Sequence, residues 1–222
     1  MYGLTQMSTA SRLVKSIKMS RVYQTARHLI RPHDFIYEKI YYDNEIEGES
    51  LNSADVMARS MVESFRPKTV IDIGCGTGAL LAAFKGLNCE VQGLEYAEAG
   101  LAYCRKRGLS VRKFNIERDR LGEEQYDLAV SFEVAEHLPV WSAKRYVGLL
   151  CKLSPIVVAS AATPGQGGRD HINEQPHSYW KRKFDDNGYS FDQNTSEKFS
   201  QAWKAAGAAF WYCDNVMVFL RR

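Results

Sequence analysis

Hydrophobic residues along this chain fall into short apolar runs that alternate with segments of helical period. A helical repeat comes first and stops before Pro67, which predicts a helix that ends there. Its apolar members are Ala54, Met57, Met61 and Phe65. The alternation that follows predicts a doubly wound, mostly parallel, Rossmann-like sheet. The predicted strands cover residues 69–73, 90–95, 110–114, 126–132, 156–159, 189–191 and 216–220. The predicted helices between them cover residues 78–87, 97–107, 139–150 and 178–186, and a last helix carries Phe199 and Trp203.

The first strand runs directly into a turn in which glycine alternates with other residues. Gly74, Gly76 and Gly78 let the backbone turn tightly and approach a ligand where any Cβ would collide. The turn opens onto a helix, whose free N–H groups and dipole favour a carboxylate or a phosphate. The turn therefore predicts a cofactor site. The turn alone does not identify the cofactor, because Gly74-x-Gly76-x-x-Ala79 also satisfies the looser fingerprint of proteins that bind dinucleotides.

Two further sequence features help to decide between a dinucleotide and another nucleotide-like cofactor. Asp72 stands two positions before the first glycine, and the run Tyr126-Asp127-Leu128-Ala129-Val130-Ser131-Phe132-Glu133-Val134-Ala135-Glu136-His137-Leu138 follows later. With these motifs, residues 51–222 resemble the class I methyltransferases that depend on S-adenosylmethionine (SAM). The resemblance implies a methyl donor, a seven-stranded sheet and an antiparallel edge strand at residues 216–220. Residues 1–50 would form a partly helical extension, basic and then aromatic, and a candidate lid.

The resemblance also assigns roles to residues around the cofactor. The acid and glycine loop would surround the methionine part of SAM, Glu95 would hold the ribose, and Tyr96 would lie against adenine. Asn115 occupies a position where the family usually has an Asp, and its carbonyl can still accept from the adenine amino group; Glu117 is an alternative. The predicted cofactor-binding residues are Asp72, Gly74, Cys75, Gly76, Gly78, Glu95, Tyr96, Asn115, Ile116, Phe132 and Glu133.

Three residues are candidates for catalysis. A hydroxyl acceptor gains from a nearby base, because its proton must leave as the new bond forms. His137 follows strand four at the carboxyl edge of the sheet, where ligands bind in such folds; the alternative is a histidine that only caps the next helix. His171 and Glu174 lie in a polar, glycine-flanked loop after strand five, which suits a mobile lid over substrate.

The same loop offers oxygen and imidazole groups that could bind a metal. The four side chains are Asp170, His171, Glu174 and His177. Pro176 interrupts any single helix that could present them together. We therefore predict no metal ligands.

The tail of the chain narrows the expected reaction. Residues 160–180 and 215–219 resemble a methyltransferase subgroup associated with polysaccharide and small-molecule pathways. This resemblance implies O-methylation of a sugar or another small hydroxylated metabolite. A quinone-pathway O-methyltransferase is an alternative because residues 133–138 resemble that group too. RNA or protein methylation, a non-catalytic SAM-binding subunit and a NAD-dependent oxidoreductase also remain open.

Composition and charge add three expectations. The chain has 222 residues, of which 45% are hydrophobic and 25% charged, as in an ordinary soluble domain, and no apolar stretch approaches the about 20 residues of a membrane span. Five cysteines without a C-x-x-C pair indicate a reducing compartment, and we expect a cytoplasmic protein. A homodimer is one open form of assembly.

The N-terminal segment has no acid before Asp34. It could be an organelle presequence, an arm for a membrane surface or nucleic acid, or a helix that packs over the cofactor site. A nucleic-acid acceptor is disfavoured in one respect, because Ser131-Phe132-Glu133-Val134 replaces the tetrad typical of enzymes that methylate DNA amino groups. The aromatic residues that follow would shield a sulfonium or simply pack on the sheet. They are Phe35, Tyr37, Tyr41 and Tyr42.

Overall fold

The computed structural model describes residues 39–222. Within this range the strands are β1 (Thr69–Ile73), β2 (Glu90–Glu95), β3 (Val111–Lys113), β4 (Leu128–Ser131), β5 (Ile156–Ala159), β6 (Tyr189–Phe191) and β7 (Met217–Arg221). They form a sheet in the order β3-β2-β1-β4-β5-β7-β6. Strands β1 to β5 pair in parallel, whereas β7 is antiparallel to both of its neighbours. The strand order reverses between β1 and β4, so a ligand crevice is expected at their carboxyl ends.

Helices cover both faces of the sheet. A helical turn (Lys39–Tyr41) and a π-helical turn (Tyr42–Ile46) lead into α1 (Glu47–Phe65). The others are α2 (Ala79–Gly86), α3 (Glu98–Lys106), α4 (Ala143–Leu153), α5 (His177–Asp185), α6 (Gln193–Ala205) and α7 (Phe210–Asn215). Two 3₁₀ turns, Ala135–His137 and Val140–Ser142, connect β4 to α4.

Alternation along the strands divides the hydrophobic core into two layers. Ile71 and Ile73 of β1 pack with the side of the sheet that α4 and α5 cover. Val70 of the same strand packs with α1, α2 and α6 on the other side. Both faces of a central parallel strand are therefore buried, which is why β4 and β5 are almost entirely apolar and β1 is apolar apart from Thr69 and Asp72.

The seven-stranded, mostly parallel fold is confirmed, with differences in detail. The bounds of β1, β2, β5 and β6 are those predicted. The antiparallel strand lies one position inside the edge, because β6 pairs with its outer side. Helix α4 starts at Ala143, since a 3₁₀ turn occupies the residues before it. Helix α7 was not predicted.

The predicted boundary between residues 50 and 51 lies inside α1, so the end of the extension and the start of the domain share a helix. The predictions for the basic segment, Phe35 and Tyr37 lie outside the described residues. None of the helices in residues 39–222 combines the length and apolar character that crossing a membrane requires.

Candidate active site

A cavity of about 440 Å³ opens at the carboxyl ends of β1, β2 and β4. Every predicted cofactor-binding residue except Gly78 lines it. Of the three candidate catalytic residues, His137 and His171 line the cavity and Glu174 does not. The structure thus brings the two halves of the predicted site, cofactor loop and histidines, into one space.

The glycine loop has the conformation that its sequence predicts. Gly74 and Gly76 have φ angles of +75° and +53°, in the left-handed region that favours glycine. A Cβ on Gly74 would lie 2.5 Å from Cγ2 of Val134, so any side chain there would collide with the loop after β4. The loop therefore packs closely against Val134 and lines the cavity with the backbone of Gly74 and Gly76.

Gly78 lies outside the lining of the cavity. Its N–H donates to the carbonyl oxygen of Cys75 at 2.9 Å, and it begins α2 with a φ of +76°. A Cβ on Gly78 would lie 2.8 Å from Sγ of Cys104 and closer still to Leu109. Gly78 therefore shapes the turn instead of lining the cavity. Sγ of Cys75 lies 3.8 Å from Sγ of Cys104, and this hydrogen bond and then burial raise the pKa of Cys75.

Two carboxylates face each other across the loop. Oε2 of Glu95 accepts the N–H of Gly76 at 2.8 Å, and Oε1 accepts the N–H groups of Tyr96 and Ala97 at 2.7 and 2.8 Å. Glu95 therefore fixes the glycine loop to the start of α3. Burial, followed by the charge of Glu95, raises the pKa of Asp72 to about 8. Asp72 thus holds a proton at neutral pH until a positive charge approaches it.

The loop after β3 closes one end of the cavity. Oδ1 of Asn115 accepts the N–H of Glu117 at 2.8 Å, and the N–H of Asn115 donates to Asp119 at 2.8 Å. An amide oxygen has two lone pairs, so Oδ1 retains one for an amino group of a ligand. Tyr96 lies at the same end, with Nζ of Lys113 5.4 Å from its ring centroid.

Glu133 connects three elements at the end of β4. It has a φ of +52°, which is costly for a residue other than glycine. Its carboxylate accepts from Oγ of Ser160 at 2.7 Å, Nε2 of Gln166 at 3.0 Å and Nδ2 of Asn215 at 3.3 Å. These bonds join β4, the loop after β5 and the end of α7. The carboxylate of Glu133 therefore holds these parts of the cavity wall together.

The two candidate histidines touch each other. The rings of His137 and His171 meet edge to face with centroids 4.9 Å apart. Nδ1 of His171 lies 3.3 Å from Oε1 of Glu174. Glu174 also accepts the N–H groups of Gly165 and Gly167 at 2.8 and 2.7 Å. Burial alone would raise the pKa of Glu174, but these donors lower it. Glu174 therefore positions His171 and the loop and is not itself exposed to a substrate in the cavity.

Glu136 is a buried acid that the sequence analysis missed. Its side chain is 0% exposed, and within residues 39–222 no hydrogen bond of ordinary geometry reaches either carboxylate oxygen, although the carboxyl of Glu133 and the backbone of Ala162 lie beside it. Burial, followed by the charge of Glu133, raises its pKa well above the ordinary range. Its ligand atom and one from each of His137 and His171 all lie within 4.8 Å of one another. Within the described residues, this set, rather than the loop quartet with Asp170 and His177, has the spacing of a metal group.

Aromatic residues complete the cavity. Tyr42 is 5% exposed and lies over the loop, with Cε1 3.8 Å from where a Cβ of Gly76 would be. The unpredicted α7 contributes Phe210, Trp211 and Tyr212 to the lining. The ring of Tyr212 meets the ring of Phe132 edge to face at 5.9 Å. The run of three aromatic residues was the available signal for this wall.

Comparisons with known proteins agree with this geometry. A family model described as a methyltransferase domain matches residues 52–208. The ubiquinone biosynthesis O-methyltransferase of Pseudomonas paraeruginosa is 29% identical over 109 residues, which cover 45% of this chain and 47% of that protein. The chain thus matches about half the length of this curated relative.

Two solved structures share the fold. A magnesium protoporphyrin IX methyltransferase from Synechocystis PCC 6803, crystallised with bound SAM, has a TM-score of 0.60 at 16% identity, and the match covers 99% of this chain and 100% of that one. A sugar N-methyltransferase from Streptoalloteichus sp ATCC 53650 has a TM-score of 0.62 at 14% identity over 82% of this chain and 92% of that one. With the family model matching most of its length, the chain belongs to the class I SAM-dependent methyltransferase family.

Proposed function

We propose that this protein transfers a methyl group from SAM to a hydroxyl oxygen of a small acceptor. The observation that carries the proposal is that one cavity contains both the glycine loop with its two acids and the paired imidazoles of His137 and His171. The first group suits a cofactor and the second suits loss of a hydroxyl proton.

The residues of the loop fit SAM. The glycine loop lines the cavity with backbone, and Asp72 lies buried there with a pKa that burial and the charge of Glu95 raise. An ammonium group reaching Asp72 would favour the ionised carboxylate. Glu95 would hold the ribose, and Tyr96, Asn115 and Ile116 would surround the base. When bound, SAM would supply an activated methyl group whose bond to sulfur breaks as the bond to the acceptor oxygen forms.

The protein's own task is then to align the acceptor, exclude water and remove one proton. Tyr42 and the α7 aromatics line the cavity, and we propose that they limit access of water once the ligands are bound. We propose that the pair of His137 and His171 assists loss of the hydroxyl proton as the carbon–oxygen bond forms. An amine acceptor that is already neutral would not need such a group.

The acceptor is proposed to be a sugar or another small polyol, in line with the polar groups of Gln166 and Arg169 on the cavity wall. A phenol of the quinone-pathway type is a second candidate. It is favoured by the aromatic wall of Phe210, Trp211 and Tyr212 and by the O-methyltransferase relatives.

The test is methyl transfer from isotope-labelled SAM to separate panels of sugars, phenols, amines, RNA and protein. We expect product with a hydroxylated small molecule, and a turnover number lowered at least tenfold in His137→Ala and His171→Ala. His177→Ala is the matched control, because this histidine does not line the cavity. Transfer to amines, RNA or protein alone would contradict the proposal.

A further inference from the structure

We propose that Glu136, His137 and His171 bind a divalent transition metal ion of the Zn²⁺ type at the wall of the cavity. The proposal rests on the proposed function and specifies its means: the two imidazoles act on the hydroxyl through the metal. It differs from the metal set considered from sequence, which lay in the loop and did not include Glu136.

The first supporting observation is the burial of the carboxyl group of Glu136. A fully buried carboxylate is costly unless it is paired, hydrogen-bonded or bound to a metal. Within residues 39–222 no hydrogen bond of ordinary geometry reaches either oxygen, and Nε2 of His171 is 4.0 Å from Oε1. The potential ligand atoms of the three residues lie within 4.8 Å of one another, so small side-chain rotations would bring them onto one ion. A cation there would pair with the ionised form of this carboxyl, which burial otherwise disfavours.

The second supporting observation is the carboxylate of Glu174, which lies next to one ring nitrogen of His171. Its Nδ1 faces Oε1 of Glu174 at 3.3 Å, and its Nε2 is the atom on the side of Glu136. A histidine that donates one ring N–H to a carboxylate and turns the other nitrogen inward is the usual arrangement of a metal ligand. Gly165 and Gly167 fix Glu174 in turn through their N–H groups.

The backbone also makes room for this imidazole. Gly168 has a φ of +153°, and a Cβ on it would lie 2.3 Å from Nε2 of His171. The N–H groups of Ile172 and Asn173 both donate to the carbonyl oxygen of Glu136 at 2.9 Å. The loop after β5 is therefore anchored on the turn that carries Glu136 and His137, which places the three side chains together.

The ligand set indicates the class of metal. Two imidazoles and one carboxylate suit Zn²⁺ and similar borderline ions and not Mg²⁺ or Ca²⁺, which prefer oxygen ligands. Three protein ligands leave positions open, and His137 and His171 line the cavity. A hydroxyl that occupies such a position loses its proton more easily. The acceptor oxygen would thus be both placed and activated.

The test is equilibrium dialysis of the chelator-treated protein against Zn²⁺, Co²⁺ and Mg²⁺, with metal analysis and the visible spectrum of the Co²⁺ form. We expect about one Zn²⁺ or Co²⁺ per chain, no Mg²⁺, and at least a tenfold weaker affinity in Glu136→Gln and His171→Ala. His177→Ala and Asp170→Asn should bind like the wild type. Glu174→Gln should retain the metal with a shifted Co²⁺ spectrum.

Failure to take up Zn²⁺ or Co²⁺ by the folded wild type would overturn the proposal, as would unchanged uptake in both ligand variants. A rise in thermal stability of the wild type on Zn²⁺ addition supports it even if a variant does not fold. Methylation by protein that binds no metal would refute this inference and leave the proposed function standing. Metal binding without methylation of any hydroxyl would refute the proposed function alone.

Discussion

At the scale of single residues, the charge of Asp72 is set by its burial beside Glu95. Because its pKa is raised to about 8, SAM binding should require loss of a proton. We predict that SAM affinity rises about tenfold per pH unit from pH 6 to 7.5, a range in which the ligand's amino group stays charged. Asp72→Asn should bind SAM weakly and without this slope. Calorimetry in two buffers of different ionisation enthalpy measures the proton released on binding. An equal dependence of SAM affinity on pH in the wild type and in Asp72→Asn would contradict this role of Asp72.

The same residue predicts how the ligand-free protein responds to pH. A carboxyl with a raised pKa keeps its proton in the folded state while the unfolded chain has already released it. Its contribution to stability is present at low pH and is lost as pH rises from about 4 through about 8. Thermal melts of the wild type should therefore fall across this window by more than those of Asp72→Asn. A steeper fall in the melting temperature of Asp72→Asn than in that of the wild type would show that folding does not raise the pKa of Asp72.

Gly74 offers a test of the glycine loop. Gly74→Ala combines a φ of +75° with a Cβ 2.5 Å from Val134, and left-handed backbone costs a non-glycine residue about 1–2 kcal/mol. We expect the dissociation constant for SAM to rise at least tenfold. Gly48→Ala is the matched control, since a Cβ there meets nothing within 4 Å and its helix gains propensity. Calorimetry on both variants gives the comparison, and equal loss of binding would argue against a local effect.

At the scale of elements, Arg107 holds the start of α1 over the cofactor loop. Its guanidinium donates to the carbonyl oxygen of Thr77 at 2.8 Å and forms an ion pair with Glu47. Arg107→Lys cannot keep both bonds, and each is worth about 1 kcal/mol. SAM binding should weaken about three- to tenfold while the turnover number stays near that of the wild type. Arg105→Lys, on the exposed face of α3, is the control and should change neither SAM binding nor the turnover number. A changed turnover number in Arg107→Lys would contradict a role limited to holding α1 over the cofactor loop.

Elements differed in how well the sequence predicted them. Strand β1 was predicted to the residue because its β-branched run is bounded by Pro67 and Gly74. Helix α7 was missed because Phe210, Trp211 and Tyr212 are indifferent helix formers and the helix is stabilised by packing, as in the contact of Tyr212 with Phe132. The position of β6 at the edge depended on pairing between distant segments, which no local pattern encodes.

At the scale of the whole molecule, the sequence predicted the cofactor half of the cavity better than the acceptor half. Asp72, Gly74 and Glu95 follow one another around a single motif, so their proximity follows from the topology of the sheet. Glu136 was missed because a Glu in a turn next to His137 normally points to water. Its burial results from the later loop, whose Ile172 and Asn173 dock on the same turn.

Methyl transfer and the proposed roles of Asp72 and Glu95 all require that the cavity at the carboxyl ends of the strands binds SAM. Calorimetric titration of the purified protein with SAM, with its demethylated product and with NAD tests this directly, with Gly74→Ala alongside. We predict one binding site per chain for SAM and for its product, loss of both in the variant, and no binding of NAD. A folded wild-type protein that binds neither SAM nor its product, or that binds NAD instead, would contradict the account.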